Sequence, residues 1–277
     1  MNALVVYAHP EPRSLTGSLK DHAVRVLERE GHEVRVSDLY AMGWKALADH
    51  EDFLDHGPEE RLQYILASGR AYEGGSQAPD IVAEQEKLLW ADFVLVHFPM
   101  WWFTMPAILK GWVERVYAYG FAYGVGEHND EHYGDRFGEG KLAGRRSMLV
   151  VTAGGDEPSY SARGVNGPME DLLFPIQHGV LFYPGMEVLP PFVIYKSDHL
   201  DSAAYPEVEA ALEERLLTIE STEPIPFRMQ NAGEYEIPSL VLKEHVETDG
   251  AGGFGLHVEN NRGAVGSGTA ADEEPCE

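Results

Sequence analysis

The residues best suited to chemistry lie in three short segments, and each segment directly follows an apolar run. The first, residues 9–16 (HPEPRSLT), carries an imidazole and hydroxyls and leads into a helical pattern. Free backbone N–H groups at the start of a helix, together with the helix dipole, favour an anion such as phosphate. The segment lacks the glycine pattern of a dinucleotide or ATP loop, which disfavours both of those folds. The plain alternative is an ordinary helix start capped by Ser14.

The second segment is rich in aromatic side chains. Residues 99–103 (PMWWF) place three consecutive aromatics after an apolar run. Exposed aromatics are unfavourably solvated unless a flat partner covers them. A planar heterocycle satisfies that demand and can meet backbone amides with its polar edge. A subunit interface is an alternative that does not exclude the first.

The third segment combines glycines with a nearby tyrosine. Thr152, Ala153, Gly154 and Gly155 follow another apolar run, and Tyr160 comes shortly after them. The glycines allow the backbone to approach a ligand closely. A single Gly-Gly pair is a weak signal, but three such segments at one edge of a sheet together predict a ligand site.

Strand and helix patterns alternate along the chain and must position these segments. Several of the strand-like runs are apolar on both faces, which is typical of parallel strands covered by helices on each side. The alternation therefore predicts an α/β fold with a doubly wound parallel five-stranded sheet and helices on both faces. Such sheets bind ligands beyond the carboxyl ends of their strands, where the three segments fall. The predicted strands are residues 3–7, 33–39, 93–98, 147–152 and 187–194, and the main predicted helices are 14–30, 80–90, 106–116 and 205–219.

Several charged residues are expected to lie in water. Glu84 and Glu86 are predicted on the wet face of the helix at residues 80–90. His128 and His132 have the spacing of metal ligands, but the glycines around them indicate a solvated loop, so no metal site is predicted.

Composition excludes some classes of partner. The chain has 277 residues, with 21 Lys and Arg against 46 Asp and Glu, and a net charge of −25. That charge argues against duplex nucleic acid and against anionic membrane surfaces as partners. The apolar stretch at residues 93–109 is short for a membrane span and contains Pro99 and Pro106. The acidity fits either adaptation to a salty cytoplasm or an ordinary acidic protein with an acidic tail.

The organisation along the chain predicts one main domain with appendages. We expect residues 1–222 to form the α/β domain and residues 223–262 an extension that packs on this domain or on a dimer partner. Residues 263–277 are expected to be a disordered acidic tail. The single cysteine, Cys276, precludes intramolecular disulfides, and the N-terminal residues show no secretory pattern, so a cytoplasmic location is expected.

The chain resembles the flavodoxin-like NAD(P)H:quinone oxidoreductases, the DT-diaphorase group. Matching strings are spread over residues 3–260, and the two most specific contain PDIVAEQ and PAILKGWVERV. The matching strings are YAHPEPRSLT (7–16), SDLYAM (37–42), APDIVAEQ (78–85), FPMWWFTMPAILKGWVERV (98–116), GFAY (120–123), TAGG with Tyr160 (152–160) and FPIQHG (174–179).

The resemblance implies a homodimeric flavoenzyme. It implies noncovalent FAD, with FMN as the alternative, and a ping-pong reaction in which NADH or NADPH delivers hydride to the flavin before a quinone takes it. Gln63 would reach the cofactor from the partner subunit, and Trp102, Phe103, Tyr123 and Tyr183 would line the substrate pocket. The implied cofactor-binding residues are His9, Ser14, Leu15, Thr16, Gln63, Pro99, Met100, Trp101, Trp102, Phe103, Thr152, Ala153, Gly154, Gly155 and Tyr160.

The resemblance also implies catalytic roles, with two departures. Tyr160, assisted by the amides of Gly154 and Gly155, would donate to the flavin edge that gains negative charge on reduction. The family pairs this tyrosine with a histidine, but Asn166 stands here, and an amide cannot relay a proton near neutral pH. The second tyrosine of the family's pocket is replaced by Val125.

Three alternatives remain open at this point. The chain could be a reductase of azo or nitro compounds with the same fold, or a peripheral regulatory subunit of a potassium efflux transporter. A one-electron carrier is disfavoured, because a roomy aromatic pocket suits hydride donors.

Overall fold

The computed structural model describes residues 1–57, 59–246 and 252–259. The tail predicted at residues 263–277, with Cys276, lies outside this part of the chain. No helix in the described ranges is long and apolar enough to cross a membrane. The strands are β1 (Asn2–Tyr7), β2 (Glu33–Asp38), β3 (Phe93–Pro99), β4 (Arg146–Thr152), β5 (Glu187–Val188) and β6 (Phe192–Ile194). The helices are α1 (Leu15–Arg29), α2 (Tyr64–Gly74), α3 (Pro79–Trp90), α4 (Ala107–Val116), α5 (Met169–Ile176) and α6 (Tyr205–Leu217).

The strands form one parallel sheet in the order β2-β1-β3-β4-β5, and β6 also pairs with β4. The predicted α/β doubly wound fold is confirmed. The strand predicted at residues 187–194 is divided in two, because Pro190 and Pro191 lack the N–H groups that would continue the ladder. Five sheet positions are therefore filled by six strands. The strand order reverses at β1, so a crevice opens between the carboxyl ends of β1 and β3.

Both faces of the sheet are covered by helices. Leu4, Val94 and Leu149 face a cluster that includes side chains of α3, α4 and α5. Their chain neighbours Ala3, Phe93 and Val150 face a second cluster built with α1 and α6. Alternate residues of a strand point to opposite faces, so strands buried on both sides must be apolar throughout, as the sequence pattern indicated.

Glu84 corrects one expectation from the sequence. Its side chain is fully buried between α3 and α4, where it accepts a hydrogen bond from Trp112 Nε1 at 2.8 Å. Lys87 Nζ lies 2.5 Å from the other carboxylate oxygen. The prediction of a solvated Glu84 was wrong because helical spacing does not reveal that a tryptophan N–H and a lysine will meet the carboxylate.

The described part of the extension, residues 223–246 and 252–259, packs on the α/β domain of its own chain. Phe227 is buried, and the ring of Phe254 stacks on Phe174 of α5 with centroids 4.4 Å apart. The ring of His178 stacks on Phe174 in the same cluster, and burial together with His257 lowers its pKa to about 4. Aromatic stacking thus attaches the extension to the helix that follows the third chemical segment.

A buried ion network holds the long excursion between β2 and α3 against α4. Arg115 Nε donates to Asp52 Oδ1 at 2.8 Å, and Arg115 Nη1 donates to Asp80 Oδ2 at 2.7 Å. Asp52 is fully buried and also accepts from the Tyr64 hydroxyl at 3.0 Å. Removing one member of such a group leaves a buried charge without its counter-charge.

We predict that Asp52→Asn lowers the free energy of unfolding by about 3 kcal/mol, because Arg115 loses a buried partner. The matched control is Glu114→Gln, which breaks a pair with Lys110 whose side chains are 50% and 53% exposed. The control should change stability by less than about 0.5 kcal/mol. Urea unfolding at constant salt measures both, and similar losses in the two variants would contradict the assignment.

Candidate functional site

The carboxyl ends of β1, β3 and β4 lie side by side, which brings the three chemical segments together. Tyr7 pairs with His97 across β1 and β3, and Pro99 pairs with Thr152 across β3 and β4. The ladder continues one step beyond the strands, since Met100 N donates to Thr152 O at 2.8 Å. Each turn is therefore anchored to its neighbour by backbone hydrogen bonds.

A cavity of about 210 Å³ opens at this edge. Nine of the predicted cofactor residues line it, drawn from all three segments, and two further residues come from the turn after β6. The lining residues are His9, Ser14, Leu15, Thr16, Pro99, Met100, Trp101, Thr152, Gly154, Ser197 and Asp198.

The end of the cavity formed by the first segment is built to receive an anion. Ser14 caps α1, its Oγ accepting from Gly17 N at 3.1 Å. The N–H groups of Leu15 and Thr16 donate to no acceptor in the described chain. They sit at the positive end of a helix of 15 residues, where an oxyanion is stabilised.

Two local contacts fix the side chains around this helix start. Thr16 Oγ1 and Thr152 Oγ1 lie 2.9 Å apart and are buried, so the first and third segments are tied together. The backbone N–H of Glu11 donates to His9 Nδ1 at 3.0 Å. Nδ1 lies equally close, at 3.0 Å, to the carbonyl oxygen of Glu11, to which it donates in the other tautomer, so the two contacts orient the ring with the proton on either nitrogen.

The aromatic segment has a strained backbone. Trp102 and Phe103 have φ angles of 50° and 63°, in the left-handed region that favours glycine. Mutual hydrogen bonds between the backbones of Trp101 and Thr104, at 3.0 and 3.2 Å, close the turn around them. The side chain of Trp102 is 92% exposed. Strain of this kind is typical of ligand sites, because it displays side chains that an unstrained turn would not.

Two glycines of the third segment lie where a side chain would clash with a neighbouring residue. A Cβ on Gly154 would lie 2.7 Å from Asp198 Oδ2, and a Cβ on Gly155 would lie 2.9 Å from the Tyr160 ring. In the described residues, the N–H groups of both glycines donate to no acceptor. They are thus available to a ligand. Asn166 contacts Ser159, the residue before Tyr160, and its Nδ2 donates to Ser159 Oγ at 3.0 Å.

The remaining predicted residues lie outside this cavity. Ala153 is buried and donates its N–H to Ile194 O, so it supports the turn from behind. Tyr160 contacts the ring of Tyr195, with centroids 5.7 Å apart. Gln63 is exposed at the start of α2. In the single chain none of these three residues lines the cavity, and neither do Trp102, Phe103 and Gly155.

The predicted substrate residues are divided between two places. Tyr123 and Tyr183 line a separate cavity of about 430 Å³, together with Tyr64 and Tyr117. Trp102 and Phe103 belong to the aromatic turn and do not line that cavity. One chain alone therefore does not bring the four predicted residues into one pocket.

The two histidines of the glycine-rich loop do not face one another. His132 Nε2 lies 2.9 Å from Asp135 Oδ1, and Glu139 is close to both. The ring of His128 packs edge-on against Tyr133, with centroids 5.1 Å apart.

Sequence reasoning missed Ser197 and Asp198. Backbone bonds from Lys196 N to Gly155 O and from Ser197 N to Ala153 O, both 3.0 Å, bring their segment beside the glycines. The available signal was their position directly after the last strand, because all carboxyl ends of a parallel sheet meet at one edge.

Comparison with known proteins agrees with this architecture. A family model described as the flavodoxin-like fold matches residues 1–216. NAD(P)H dehydrogenase [quinone] 1 of Rattus norvegicus is 38% identical over 94% of this chain and 93% of its own length. The chain belongs to the flavodoxin-like NAD(P)H:quinone oxidoreductase family. A ribosyldihydronicotinamide dehydrogenase-like protein of Penicillium crustosum is 56% identical over 93% of this chain and 96% of its own length.

Among solved structures, one from Klebsiella pneumoniae is provisionally described as a quinone reductase. It is 58% identical to this chain, superposes with a TM-score of 0.90, and covers 93% of this chain and 99% of its own. Members of this family have a flavodoxin-like fold, which implies a flavin. The residues present fit such a group. The unpaired N–H groups at the start of α1 suit the flavin's phosphate, and the aromatic turn suits its ring system. The glycine turn, which has no Cβ at Gly154 and Gly155, suits the polar edge of the ring.

We predict that Trp102→Gly raises the free energy of unfolding of the flavin-free protein by about 1 kcal/mol, because it relieves a left-handed backbone and removes little buried surface. The matched control is Trp101→Gly, which has no such strain to relieve and removes a side chain that is only 40% exposed. The control should be destabilised. Denaturant unfolding of the two variants checks the prediction, and a loss of stability in Trp102→Gly would contradict it.

Proposed function

We propose that this protein is a flavin-dependent oxidoreductase that reduces quinones by two electrons with NADH or NADPH. The observation that carries the proposal is the meeting of an anion-binding helix start, an aromatic turn and an open glycine turn in one cavity. Relatives that are 38% and 58% identical over almost the whole chain are described as quinone dehydrogenase or reductase. The flavin proposed is FAD, held noncovalently, with FMN as the alternative.

The proposed binding residues divide the cofactor between the three segments. The N–H groups of Leu15 and Thr16, with the hydroxyl of Ser14 and the imidazole of His9, would hold phosphate oxygens. The aromatic turn would cover the ring system, and the N–H groups of Gly154 and Gly155 would meet its polar edge.

When bound, a flavin supplies a hydride acceptor and then a hydride donor. The chain's part is to bind donor and acceptor in turn, a ping-pong order, and to stabilise the negative charge that reduction creates. Backbone N–H groups that are fixed before the reaction need no reorganisation to do so. Tyr160, whose ring lies against Gly155, is the proposed side-chain donor.

Asn166 limits how protons can move near Tyr160. Its amide donates to Ser159 and has no ionisation near neutral pH, so it orients the loop without exchanging a proton. The proton needed by the product quinone must then pass through the Tyr160 hydroxyl or through water.

We propose a homodimer because, in one chain, Tyr123 and Tyr183 line a cavity that Trp102 and Phe103 do not reach. A second copy could place the partner's Tyr123 over the aromatic turn and the partner's Gln63 near the cofactor. Exposed apolar side chains between residue 47 and the first turn of α2 support such an interface. They are Leu47, Leu54, Ile65 and Leu66, which are 75%, 68%, 57% and 58% exposed.

The function is tested by one purification of the full chain in FAD. The protein is expected to be yellow, to bleach with NADH or NADPH, and to regain its colour with menadione. Light scattering on the same sample is expected to give twice the chain mass of 30.7 kDa. A flavin that the nicotinamides cannot bleach would favour an electron carrier, and colourless protein would refute flavin binding altogether. Faster reoxidation by azo or nitro compounds than by menadione would favour the alternative reductase.

We predict a rate of quinone reduction that varies little between pH 6 and 7, because Asn166 does not titrate. Asn166→His should introduce an inflection at about pH 6.5. Tyr160→Phe should lower the rate without adding an inflection, since it removes a donor but introduces no titrating group. Stopped-flow hydride transfer across this pH range measures all three. A steep inflection in the unaltered protein, or a full rate in Tyr160→Phe, would contradict the assigned roles.

A further inference from the structure

Three potential metal ligands meet in the glycine-rich loop at residues 124–144, outside the flavin cavity. They are His132, Asp135 and Glu139, so the set contains an imidazole nitrogen as well as two carboxylates. One ligand atom from each side chain lies within 4.8 Å of the ligand atoms of the other two. None of the three residues lines the flavin cavity. The proposed flavin chemistry therefore makes no use of this cluster.

The fold of the loop brings the first two side chains together. Asp135 N donates to Val125 O at 2.8 Å, and a Cβ on Gly126 would overlap Asp135 Oδ1, so the carboxylate packs directly on a glycine. His132 Nε2 lies 2.9 Å from the same oxygen, and both side chains are about two-thirds buried, with exposures of 31% and 35%. The packing of the loop thus holds a nitrogen and an oxygen ligand side by side.

The third side chain is oriented from the C-terminal extension. Asn231 Nδ2 donates to Glu139 Oε2 at 2.6 Å and to the backbone oxygen of Gly134 at 3.0 Å. Hydrogen bonds from residues around a metal site commonly fix the carboxylates that bind the ion. Glu139 Oε1 makes no hydrogen bond within the described residues. An ion bound to Glu139 would therefore be connected to the extension through Asn231.

The two carboxylates lack a full counter-charge. Two negative groups at this separation repel each other. Within the described residues, no lysine or arginine forms an ion pair with Asp135 or Glu139. Arg136, the adjacent cation in the sequence, instead donates to Gln230 Oε1 at 2.6 Å and lies over the ring of Tyr133 at 5.0 Å. A divalent cation would balance the charge of both carboxylates.

The types of ligand atom indicate which metal suits the cluster. Imidazole nitrogen and carboxylate oxygen both bind Zn²⁺, at roughly 2.0–2.2 Å and usually in a tetrahedral set of four. Ca²⁺ and Mg²⁺ prefer sites made of oxygen alone. The imidazole therefore favours Zn²⁺, and three protein ligands leave the fourth position to water.

We propose that His132, Asp135 and Glu139 form a zinc site that fastens the glycine-rich loop to the C-terminal extension. The ligands are His132 Nε2 and one oxygen of each carboxylate, and the Asn231 amide keeps Glu139 in position. His128, which the sequence pairs with His132 by spacing, is not a member of the cluster. The zinc is structural, and the proposal does not rest on the proposed flavin function.

The test is zinc binding by the full chain after treatment with EDTA. All proteins are purified without a histidine tag and carry Cys276→Ser, so that the thiol adds no ligand. Equilibrium dialysis against Zn²⁺ followed by elemental analysis gives the stoichiometry and the affinity. We expect one Zn²⁺ per chain.

Variants of the cluster identify the ligands. His132→Ala and Glu139→Gln should each weaken zinc binding at least about tenfold, which is the loss typical of removing even an outer hydrogen-bond partner of a metal site. The matched control is His128→Ala, which removes an exposed histidine of the same loop and should leave zinc binding unchanged.

Two further measurements test the type of site and its structural role. Ca²⁺ in about hundredfold excess should not displace Zn²⁺, because it binds imidazole poorly. Zn²⁺ should slow amide hydrogen exchange in the glycine-rich loop and around Asn231 in the protein with the intact cluster and in His128→Ala. The same addition should have no such effect in His132→Ala.

Each contrary result overturns a stated part of the inference. Equal zinc binding by His132→Ala and His128→Ala, or no zinc bound by the protein with the intact cluster, overturns the site. Displacement by Ca²⁺ indicates a nonspecific acidic surface and overturns it as well. Bound zinc that leaves hydrogen exchange unchanged overturns the fastening of the loop. Flavin binding is expected to be the same in His132→Ala as in the unaltered protein, so failure of the zinc site leaves the proposed function intact.

Discussion

The site depends on the parallel pairing of β3 with β1 on one side and β4 on the other. Parallel strands place all their carboxyl ends at one edge, so segments distant in sequence emerge as neighbours. Hydrogen bonds from Ala8 N to His97 O and from Met100 N to Thr152 O carry that pairing into the turns themselves. Without this register, the helix start, the aromatic turn and the glycine turn would be three unrelated loops.

Electrostatics at the site contrasts with the usual way of binding phosphates. The chain carries a net charge of −25, and its candidate anion site contains backbone N–H groups, hydroxyls and one imidazole rather than lysine or arginine. Dipolar donors bind an oxyanion without the long-range attraction of a full cation. Affinity then depends on geometry, which the Ser14 cap and the contact between Thr16 and Thr152 provide.

Buried charges and a strained backbone occur in different parts of the molecule. Arg115 and Asp52 form a buried network away from the cavity, where partners satisfy each charge. At the cavity, Trp102 and Phe103 keep unfavourable backbone angles, and the glycines leave their N–H groups without protein acceptors. A ligand site needs such unsatisfied groups, and the well-packed sheet beneath it supplies the stability that they lack.

Local patterns in the sequence were sufficient for the five sheet positions, for the helices α1, α3, α4 and α6 and for the three chemical segments, whereas they gave no bounds for α2 and α5. Alternation, helical spacing and the cap at Ser14 reflect interactions between residues close in the chain, and they identified nine of the eleven residues around the cavity. Only the tertiary structure determined which residues that are distant in the sequence come into contact. It buried Glu84 against Trp112, brought Asp198 beside Gly154, and placed Tyr123 in a cavity that Trp102 does not line. These contacts depend on how helices and turns pack, and no periodicity in the sequence records packing between distant segments.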